Sequence, residues 1–264
     1  PATGEWYRLS FPQLRLEDVA ESAWRVVESR GIEVLDSVVG CSMGGMTGLG
    51  FCAMHPGRTR SFVSISSATR ALPFSIAVRS LQREMIRTDP RWDNGNYETD
   101  KPPIVGQRLA RKLGMITYRS PEEWIQRFGR ERTTSSNRPG DPFQLEFSVE
   151  SYLEAHAQKF TGQFDPNCYL YLSRASDLFD LAEYGGSAGA AFRRMDLRKV
   201  LVIGVTTDML FPLHQQRELA DGLSRVCEDT RFVPLDCIKG HDSFLAEMDA
   251  FRPVICEFFE SCCD

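Results

Sequence analysis

A serine, an aspartate and a histidine are placed along this sequence in an order that suits nucleophilic acyl transfer. Ser42 lies within Gly40-Cys41-Ser42-Met43-Gly44, a Gly-x-Ser-x-Gly pattern that directly follows the β-branched pair Val38-Val39. Asp208 and His241 each follow a later apolar run. In a triad of these residue types, the histidine takes the serine proton during attack on an acyl carbonyl, and the aspartate fixes the histidine tautomer. We therefore predict a triad of Ser42, Asp208 and His241.

The context of Ser42 strengthens this interpretation. A short strand, the Gly-x-Ser-x-Gly turn and then a helical pattern together form a nucleophile elbow, the turn that α/β-hydrolase enzymes use to present a serine. We predict that Gly40 and Gly44 are glycines because any Cβ there would collide with nearby backbone. The N–H of Met43, at the start of the following helix, is the expected oxyanion donor.

The order of the three residues along the chain is part of the argument, because Asp208 and His241, each taken alone, are also compatible with a non-catalytic role. Taken alone, Asp208 is typical of a solvated loop aspartate, and His241 of a histidine in a surface turn. The order Ser, Asp, His, with each residue just past a predicted strand, is the order found in α/β-hydrolases. The remaining histidines follow no predicted strand: His55, His156 and His214.

The elements that must position these residues form an α/β pattern. Strands are predicted at 37–40, 61–66, 199–205 and 230–235, with helices at 16–30, 46–54, 215–226 and 243–259. Strands that alternate with helices favour a parallel sheet. The predicted fold is therefore an α/β-hydrolase fold, with core segments 1–69 and 199–264.

Residues 70–198 have a different character and predict a helical lid. Helix-like stretches occur at 75–88, 105–113, 121–128 and 148–160, and the segment 130–141 is the most loop-like part of the chain. An insertion of helices between two parallel strands is expected to cover the carboxyl edge of the sheet, where the sites of α/β proteins lie.

Composition narrows the class of protein. The 264 residues are 42% hydrophobic and 25% charged, with a net charge of −5, which does not favour nucleic-acid binding. The local basic group of Arg108, Arg111 and Lys112 is typical of a solvated helix face. No run reaches the ~18 apolar residues of a membrane span, and no signal peptide opens the sequence, so we expect a soluble protein with no membrane partner.

Eight cysteines occur without a Cys-x-x-Cys pair and without a histidine at metal-ligand spacing, so no metal site is predicted. Most lie in apolar contexts, which favours free, buried thiols over disulfides. Cys41 adjoins the nucleophile, but in an elbow its side chain is expected to point away from the site.

Several further motifs resemble the homoserine O-acetyltransferase family, which includes serine O-acyltransferases. The resemblance extends over essentially the whole chain. It rests on Gly40-Cys41-Ser42-Met43-Gly44-Gly45-Met46, Gln82-Arg83, Asp89-Pro90-x-Trp92, Ala110-Arg111, Thr117-Tyr118, Phe128-Gly129-Arg130, Glu150-Ser151-Tyr152-Leu153, Phe164-Asp165-x-Asn167, Asp208-x-Leu210-Phe211-Pro212 and Gly240-His241-Asp242-x-Phe244-Leu245.

The resemblance implies an enzyme that moves an acyl group from coenzyme A to an amino-acid hydroxyl through an acyl-serine. It implies Arg111, Tyr118 and Asp242 as substrate-binding residues, acyl-coenzyme A as co-substrate and no resident cofactor. It also implies a homodimer formed through the lid helices and a cytoplasmic location, or a mitochondrial one in a eukaryote. Arg111 has an alternative role, a salt bridge within the lid.

Within this family the expected acceptor is L-serine, which would place the protein in cysteine biosynthesis, with acetyl and succinyl donors both open. The segment 70–80 resembles the serine-acylating branch, and its Leu72-Pro73-Phe74 either narrows the pocket or belongs to the core of the lid. The alternative is a homoserine O-acetyltransferase of methionine biosynthesis.

Two other classes of function share parts of this pattern. An esterase would use the same triad with water as acceptor, and a binding scaffold would keep the fold without the triad. The intact triad argues against a binding scaffold, and the opposite charges of Arg111 and Asp242 favour an amino-acid acceptor over water.

The sequence departs from the usual α/β-hydrolase pattern at its start, because only one helix and one strand precede Ser42. We therefore expect the N-terminal strands of the fold and the second oxyanion donor to lie outside this chain.

Overall fold

A four-stranded parallel sheet forms the centre of the computed structural model, which describes residues 4–133 and 141–260. The strands are β1 Leu35–Cys41, β2 Thr59–Ile65, β3 Lys199–Val205 and β4 Thr230–Leu235. Their order in the sheet is the same as their order in the chain, and every neighbouring pair is parallel. All four carboxyl ends therefore lie along one edge, and the predicted α/β-hydrolase fold with a parallel sheet is confirmed.

Helices cover both faces of the sheet. The core helices are α1 Leu16–Glu28, α2 Met43–Met54, α9 Leu213–Leu223, α10 Ser243–Ala246 and α11 Met248–Glu260. Alternate residues of β3 point to opposite sides: Val200 and Val202 join one hydrophobic core, while Leu201 and Ile203 join a second core that contains Phe251 of α11. Burial on both faces explains why β3 is a continuous apolar run.

Among the described residues, six α-helices are inserted between β2 and β3. They are α3 Pro73–Arg87, α4 Ile104–Tyr118, α5 Pro121–Phe128, α6 Ser148–Phe160, α7 Pro166–Leu178 and α8 Ala188–Phe192. The division at residues 70 and 198 remains a prediction. The side chains of Phe179, Leu181 and Phe192 belong to the main hydrophobic core.

Several elements differ from the sequence-based expectation. Helix α4 continues past Gly114 to Tyr118, and this glycine lets α4 pack closely on α3, since a Cβ there would lie 2.8 Å from the Gln82 amide nitrogen. Helix α7 was not predicted, although Asp165 caps it by accepting the N–H of Cys168 at 2.8 Å and Pro166 opens it. The predicted terminal helix is divided at Glu247, and Lys239 donates to the last carbonyl of α10, that of Ala246, at 3.1 Å.

Part of the predicted loop 130–141 and the cysteines Cys262 and Cys263 lie outside the described residues. The other six cysteines are free thiols. Across the described ranges, no helix has the length and apolar character needed to cross a bilayer.

Candidate active site

Ser42 lies at the junction between β1 and α2, in a backbone conformation that non-glycine residues rarely adopt. Its φ and ψ are 53° and −124°, and its N–H donates to the Ile65 carbonyl of β2 at 2.8 Å. Backbone strain of this kind persists only where the surrounding structure enforces it, and it is common at functional sites. The sharp turn puts the Ser42 side chain in a cavity at the carboxyl edge of the sheet.

Of the two glycines predicted to be sterically required around Ser42, only one is. A Cβ on Gly40 would collide with the backbone of Gly44 and Gly45, as expected. The expectation for Gly44 is wrong, since a Cβ there would meet nothing within 4 Å in the described chain. Gly45 is the second restricted position, because its Cβ would lie 2.5 Å from the Cβ of Ser67 on the segment after β2.

Ser42, His241 and Asp208 form a continuous hydrogen-bonded chain. His241 Nε2 lies 2.8 Å from Ser42 Oγ, and His241 Nδ1 lies 2.8 Å from Asp208 Oδ2. The other carboxylate oxygen of Asp208 accepts the N–H groups of Leu210 and Phe211, each at 2.9 Å. Asp208 and His241 are 4% and 5% exposed, so neither the solvated-loop nor the surface-turn interpretation applies. This is the arrangement in which a histidine can take a serine proton.

A threonine joins the loops that carry Asp208 and His241. Thr207 Oγ1 donates to the Cys237 carbonyl at 2.6 Å and accepts the Gly240 N–H at 3.1 Å. These bonds fix the end of β3 relative to the loop after β4. Aromatic rings then surround the imidazole, with centroids 5.4 to 6.0 Å away: Phe211, Phe244 and Tyr118.

The cavity beside Ser42 has a volume of about 340 Å³ and is bounded by both core and lid. Of the predicted site residues, those that line it are Ser42, Met43, Tyr118, His241 and Asp242. Met43 is the first residue of α2, so its N–H has no acceptor within the helix and remains a candidate oxyanion donor. Leu72-Pro73-Phe74 is absent from the cavity wall, and Phe74 is 51% exposed, so the prediction that this segment narrows the pocket is wrong.

Arg111 lies beside the cavity without lining it. Its guanidinium stacks over the Phe160 ring at 4.8 Å, and its Nε is buried with no hydrogen-bond partner. No carboxylate lies within 4.0 Å of Arg111 in residues 4–133 and 141–260, which excludes the alternative of a lid salt bridge there. Its role in substrate binding remains a prediction.

The neighbours of Arg111 on α4 are not a solvated face, contrary to expectation. Lys112 and Arg108 both pair with Glu154 of α6, and the side chains of Lys112 and Glu154 are only 24% and 21% exposed. The two helices pack against each other, so this basic group serves the assembly of the lid.

Two titratable side chains from different elements, Tyr118 and Asp242, also line the cavity. Burial raises the pKa of the Tyr118 phenol, so this group is a neutral hydrogen-bonding side chain near neutral pH. Burial also raises the pKa of Asp242, while electrostatic interactions with Arg119, His241 and Arg111 act to lower it.

Sequence reasoning missed a buried ionic group on the lid side of the cavity. Arg79 Nε donates to Asp177 Oδ1 at 2.5 Å, and Arg83 Nη2 lies 2.7 Å from Asp177 Oδ2. Two guanidinium groups thus share one carboxylate, which leaves a net positive charge. Arg79 lines the cavity, and its Nη2 is buried without a hydrogen-bond partner. Because Arg79 and Asp177 are 98 residues apart, no local pattern could reveal their contact.

In the described part of the chain, no three His, Cys, Asp or Glu side chains converge as a metal site would require.

Comparisons with known proteins identify the family of the chain. The family described as alpha/beta hydrolase fold matches residues 3–246. A serine O-succinyltransferase from Stenotrophomonas maltophilia is 55% identical over 262 residues, which span 99% of this chain and 71% of that protein. Another, from Litchfieldella anticariensis, is 50% identical, with 98% and 71% covered.

Solved structures show the same fold. A homoserine O-acetyltransferase from Bacillus anthracis superposes with a TM-score of 0.88 at 23% identity, covering 98% of this chain and 68% of that one. Esterase E22 superposes with a TM-score of 0.86 at 26% identity, covering 98% and 70%. The chain therefore belongs to the α/β-hydrolase fold family and, within it, to the family of the serine O-succinyltransferases.

Proposed function

We propose that this protein transfers a succinyl group from succinyl-coenzyme A to the hydroxyl of L-serine. The observation that carries the proposal is the hydrogen-bonded chain of Ser42, His241 and Asp208, which opens into a cavity lined by the carboxylate of Asp242 and the guanidinium of Arg79. Relatives at 50% and 55% identity bear the name serine O-succinyltransferase, which supports this choice of substrates.

The first half of the reaction acylates the enzyme. Ser42 Oγ attacks the thioester carbonyl while His241 Nε2 takes its proton, and Asp208 stabilises the imidazolium that forms. The oxyanion accepts the N–H of Met43 at the positive end of α2. The carbon–sulfur bond then breaks, and the thiolate of coenzyme A leaves with the proton from His241.

The second half transfers the acyl group. The hydroxyl of the acceptor attacks the acyl carbon and gives its proton to His241. The bond to Ser42 Oγ breaks, and His241 returns the proton to Ser42. Transfer prevails over hydrolysis when the acceptor is bound in the position that water would need.

Opposite charges suit a zwitterionic acceptor. Asp242 lines the cavity and offers a carboxylate to the ammonium group. Arg111, which is held on Phe160 and has an unpartnered Nε, offers a guanidinium to the carboxylate. Serine is one methylene shorter than homoserine, and one methylene is worth ~1–3 kcal/mol, so we expect a preference of roughly 10- to 200-fold.

The donor preference rests on Arg79. A succinyl group carries a distal carboxylate that an acetyl group lacks. The Nη2 of Arg79, which has no hydrogen-bond partner, can donate a hydrogen bond to this carboxylate inside the cavity. Asp177 neutralises only one of the two arginines that it contacts. Hydrogen bonds to charged groups contribute ~1.5–3 kcal/mol, which corresponds to about 10- to 150-fold in rate.

The proposal is tested by measuring kcat/KM with succinyl- and acetyl-coenzyme A, each crossed with L-serine and L-homoserine. Succinyl-coenzyme A with L-serine should give the highest value. Arg79→Leu should reduce the succinyl reaction by about 10- to 100-fold and the acetyl reaction much less. Arg174→Leu, an exposed arginine of α7, is the matched control and should leave both unchanged.

Other outcomes select the alternatives. A preference for acetyl-coenzyme A and homoserine would make the protein a homoserine O-acetyltransferase. Rapid ester hydrolysis without transfer would make it an esterase, a class that includes a protein with the same fold.

We also propose that two copies associate through the lid. Three apolar side chains lie on one face of α4 and are 42% to 52% exposed: Val105, Leu109 and Ile116. A second copy would bury this stripe. Leu109→Glu should lower the mass measured by light scattering to that of a monomer, whereas Val26→Glu, at an exposed apolar position on α1, should not.

A further inference from the structure

The junction between α4 and α5 packs directly against the loop that carries His241. Gly240 has a φ of +66°, and a Cβ there would lie 2.8 Å from the Tyr118 carbonyl oxygen and 2.9 Å from the Ser120 nitrogen. Ser120 is fully buried, and its Oγ donates to the Ile238 carbonyl. The same oxygen caps α5 by accepting the Glu123 N–H at 3.1 Å. The lid and the His241 loop are therefore joined by backbone contact and by a buried hydrogen bond.

An arginine in this junction contacts Asp242, one of the residues that line the cavity. Arg119 Nε lies 3.2 Å from Asp242 Oδ2, and Arg119 Nη1 donates to Glu123 Oε1 at 2.8 Å. The side chains of Arg119, Asp242 and Glu123 are 20%, 22% and 9% exposed, so all three are largely shielded from water. The contact occupies Oδ2 of Asp242, and its Oδ1 makes no hydrogen bond within the described residues.

We propose that Arg119 is a positioning residue for the acceptor: it holds the Asp242 carboxylate so that Oδ1 receives the ammonium group of the amino acid. Glu123 orients Arg119 in turn, since it binds the opposite side of the same guanidinium. The inference rests on the proposed function, because it assumes an acceptor with an ammonium group.

Asp242 needs Arg119 because its carboxylate must stay ionised and keep a fixed orientation in a buried site that disfavours both. Burial raises the pKa of Asp242, and the charges of Arg119, His241 and Arg111 oppose that rise. Tyr118, which faces the same space from α4, is neutral because burial raises its pKa. Without Arg119, a larger fraction of Asp242 would be protonated at a given pH, and the remaining carboxylate would be free to rotate.

The test compares Arg119→Leu and Arg119→Lys with the wild type in the intact protein. With succinyl-coenzyme A as donor, Arg119→Leu should raise KM for L-serine by about 10- to 100-fold, and Arg119→Lys should restore part of the loss. Acylation of Ser42 by succinyl-coenzyme A without acceptor should change less than about twofold, because it does not use the ammonium site. With 3-hydroxypropanoate, a hydroxy acid without an ammonium group, kcat/KM should be the same in variant and wild type.

A second readout separates positioning from a structural role. As the solution is acidified, the KM of Arg119→Leu for L-serine should begin to rise at a higher pH than that of the wild type, because Asp242 takes up a proton more readily when the charge of Arg119 is absent. Arg231→Leu removes an exposed arginine paired with Glu257 outside the lid and should change none of these values.

Specific outcomes would overturn the inference. An equal loss with L-serine and 3-hydroxypropanoate, an unchanged KM for L-serine, or slower acylation of Ser42 would show that Arg119 only stabilises the lid. If the wild type prefers homoserine, the proposed acceptor fails, and the same comparison made with homoserine still decides the role of Arg119. If the wild type acylates no amino acid, the proposed function fails and this inference fails with it.

Discussion

A Cβ on Gly40 would lie 2.3 Å from the carbonyl oxygen of Gly44. The obstructing atom belongs to the backbone, so no change of rotamer could relieve the contact. Strand β1 therefore approaches the first turn of α2 at a distance that only glycine permits, and the chain between them must turn sharply. Ser42 occupies that turn with a φ of 53°.

Exchanging each glycine for alanine should separate the two positions. Gly40→Ala should destabilise the protein by about 1–3 kcal/mol through overpacking and should reduce activity, because the turn at Ser42 must shift. Gly44→Ala should keep or raise stability, by up to ~1 kcal/mol, since alanine favours the helix and no described atom stands in its way. Urea unfolding measures both, and equal effects of the two changes would contradict this account.

The hydrogen bonds of Asp208 predict a large effect from an isosteric change. Asp208→Asn keeps the shape, but an amide that retains the bonds to the Leu210 and Phe211 N–H groups presents N–H to His241 Nδ1 and favours the wrong tautomer. We expect turnover to fall by about 10⁴-fold, as in serine-protease triads. In Ser42→Ala, adding Asp208→Asn should cause little further loss, because triad members act as a unit.

The covalent step can be observed directly. Succinyl-coenzyme A without acceptor should increase the intact mass of the wild type by one succinyl group on the Ser42 peptide. The Ser42→Ala protein should remain unmodified. Normal turnover without any Ser42 adduct under rapid-quench conditions would exclude the acyl-serine mechanism.

The pKa of Asp242 predicts how acceptor binding responds to acid. Because burial raises this pKa, the carboxylate begins to take up a proton at a higher pH than an ordinary aspartate as the solution is acidified. The protonated form no longer attracts an ammonium group, so KM for L-serine should rise as the pH falls. Asn at position 242 cannot titrate, so Asp242→Asn should not show this rise of KM at low pH. The same rise of KM in both proteins would refute the role of Asp242 in binding the ammonium group.

The six described cysteines should divide by exposure. Cys168 and Cys256 are exposed and should react readily with a thiol reagent such as 5,5′-dithiobis(2-nitrobenzoate). Cys52 and Cys237 are buried, and burial raises the pKa of each to about 12, so both should react only after unfolding. Peptide mapping after labelling of the native protein checks this, and rapid labelling of Cys52 would show that the core opens easily.

The sequence by itself determined the elements whose signals are local. The elbow at Ser42, the buried strand β3 and the order of Ser42, Asp208 and His241 along the chain could all be read from neighbouring residues. Since successive strands of this sheet are neighbours and parallel, residues that follow strand ends are brought to one edge. That is why a pattern spread over 199 residues could be assembled into one site.

Only the tertiary structure decided the contacts between distant segments. The pairing of Arg79 with Asp177, the contact of Arg119 with Asp242 and the fit of Gly45 against Ser67 leave no periodic trace in the sequence. Each depends on how a lid helix or a loop packs against another element. Sequence patterns report burial and local conformation, whereas the direction of a charged side chain is set by neighbours that only the folded chain brings together.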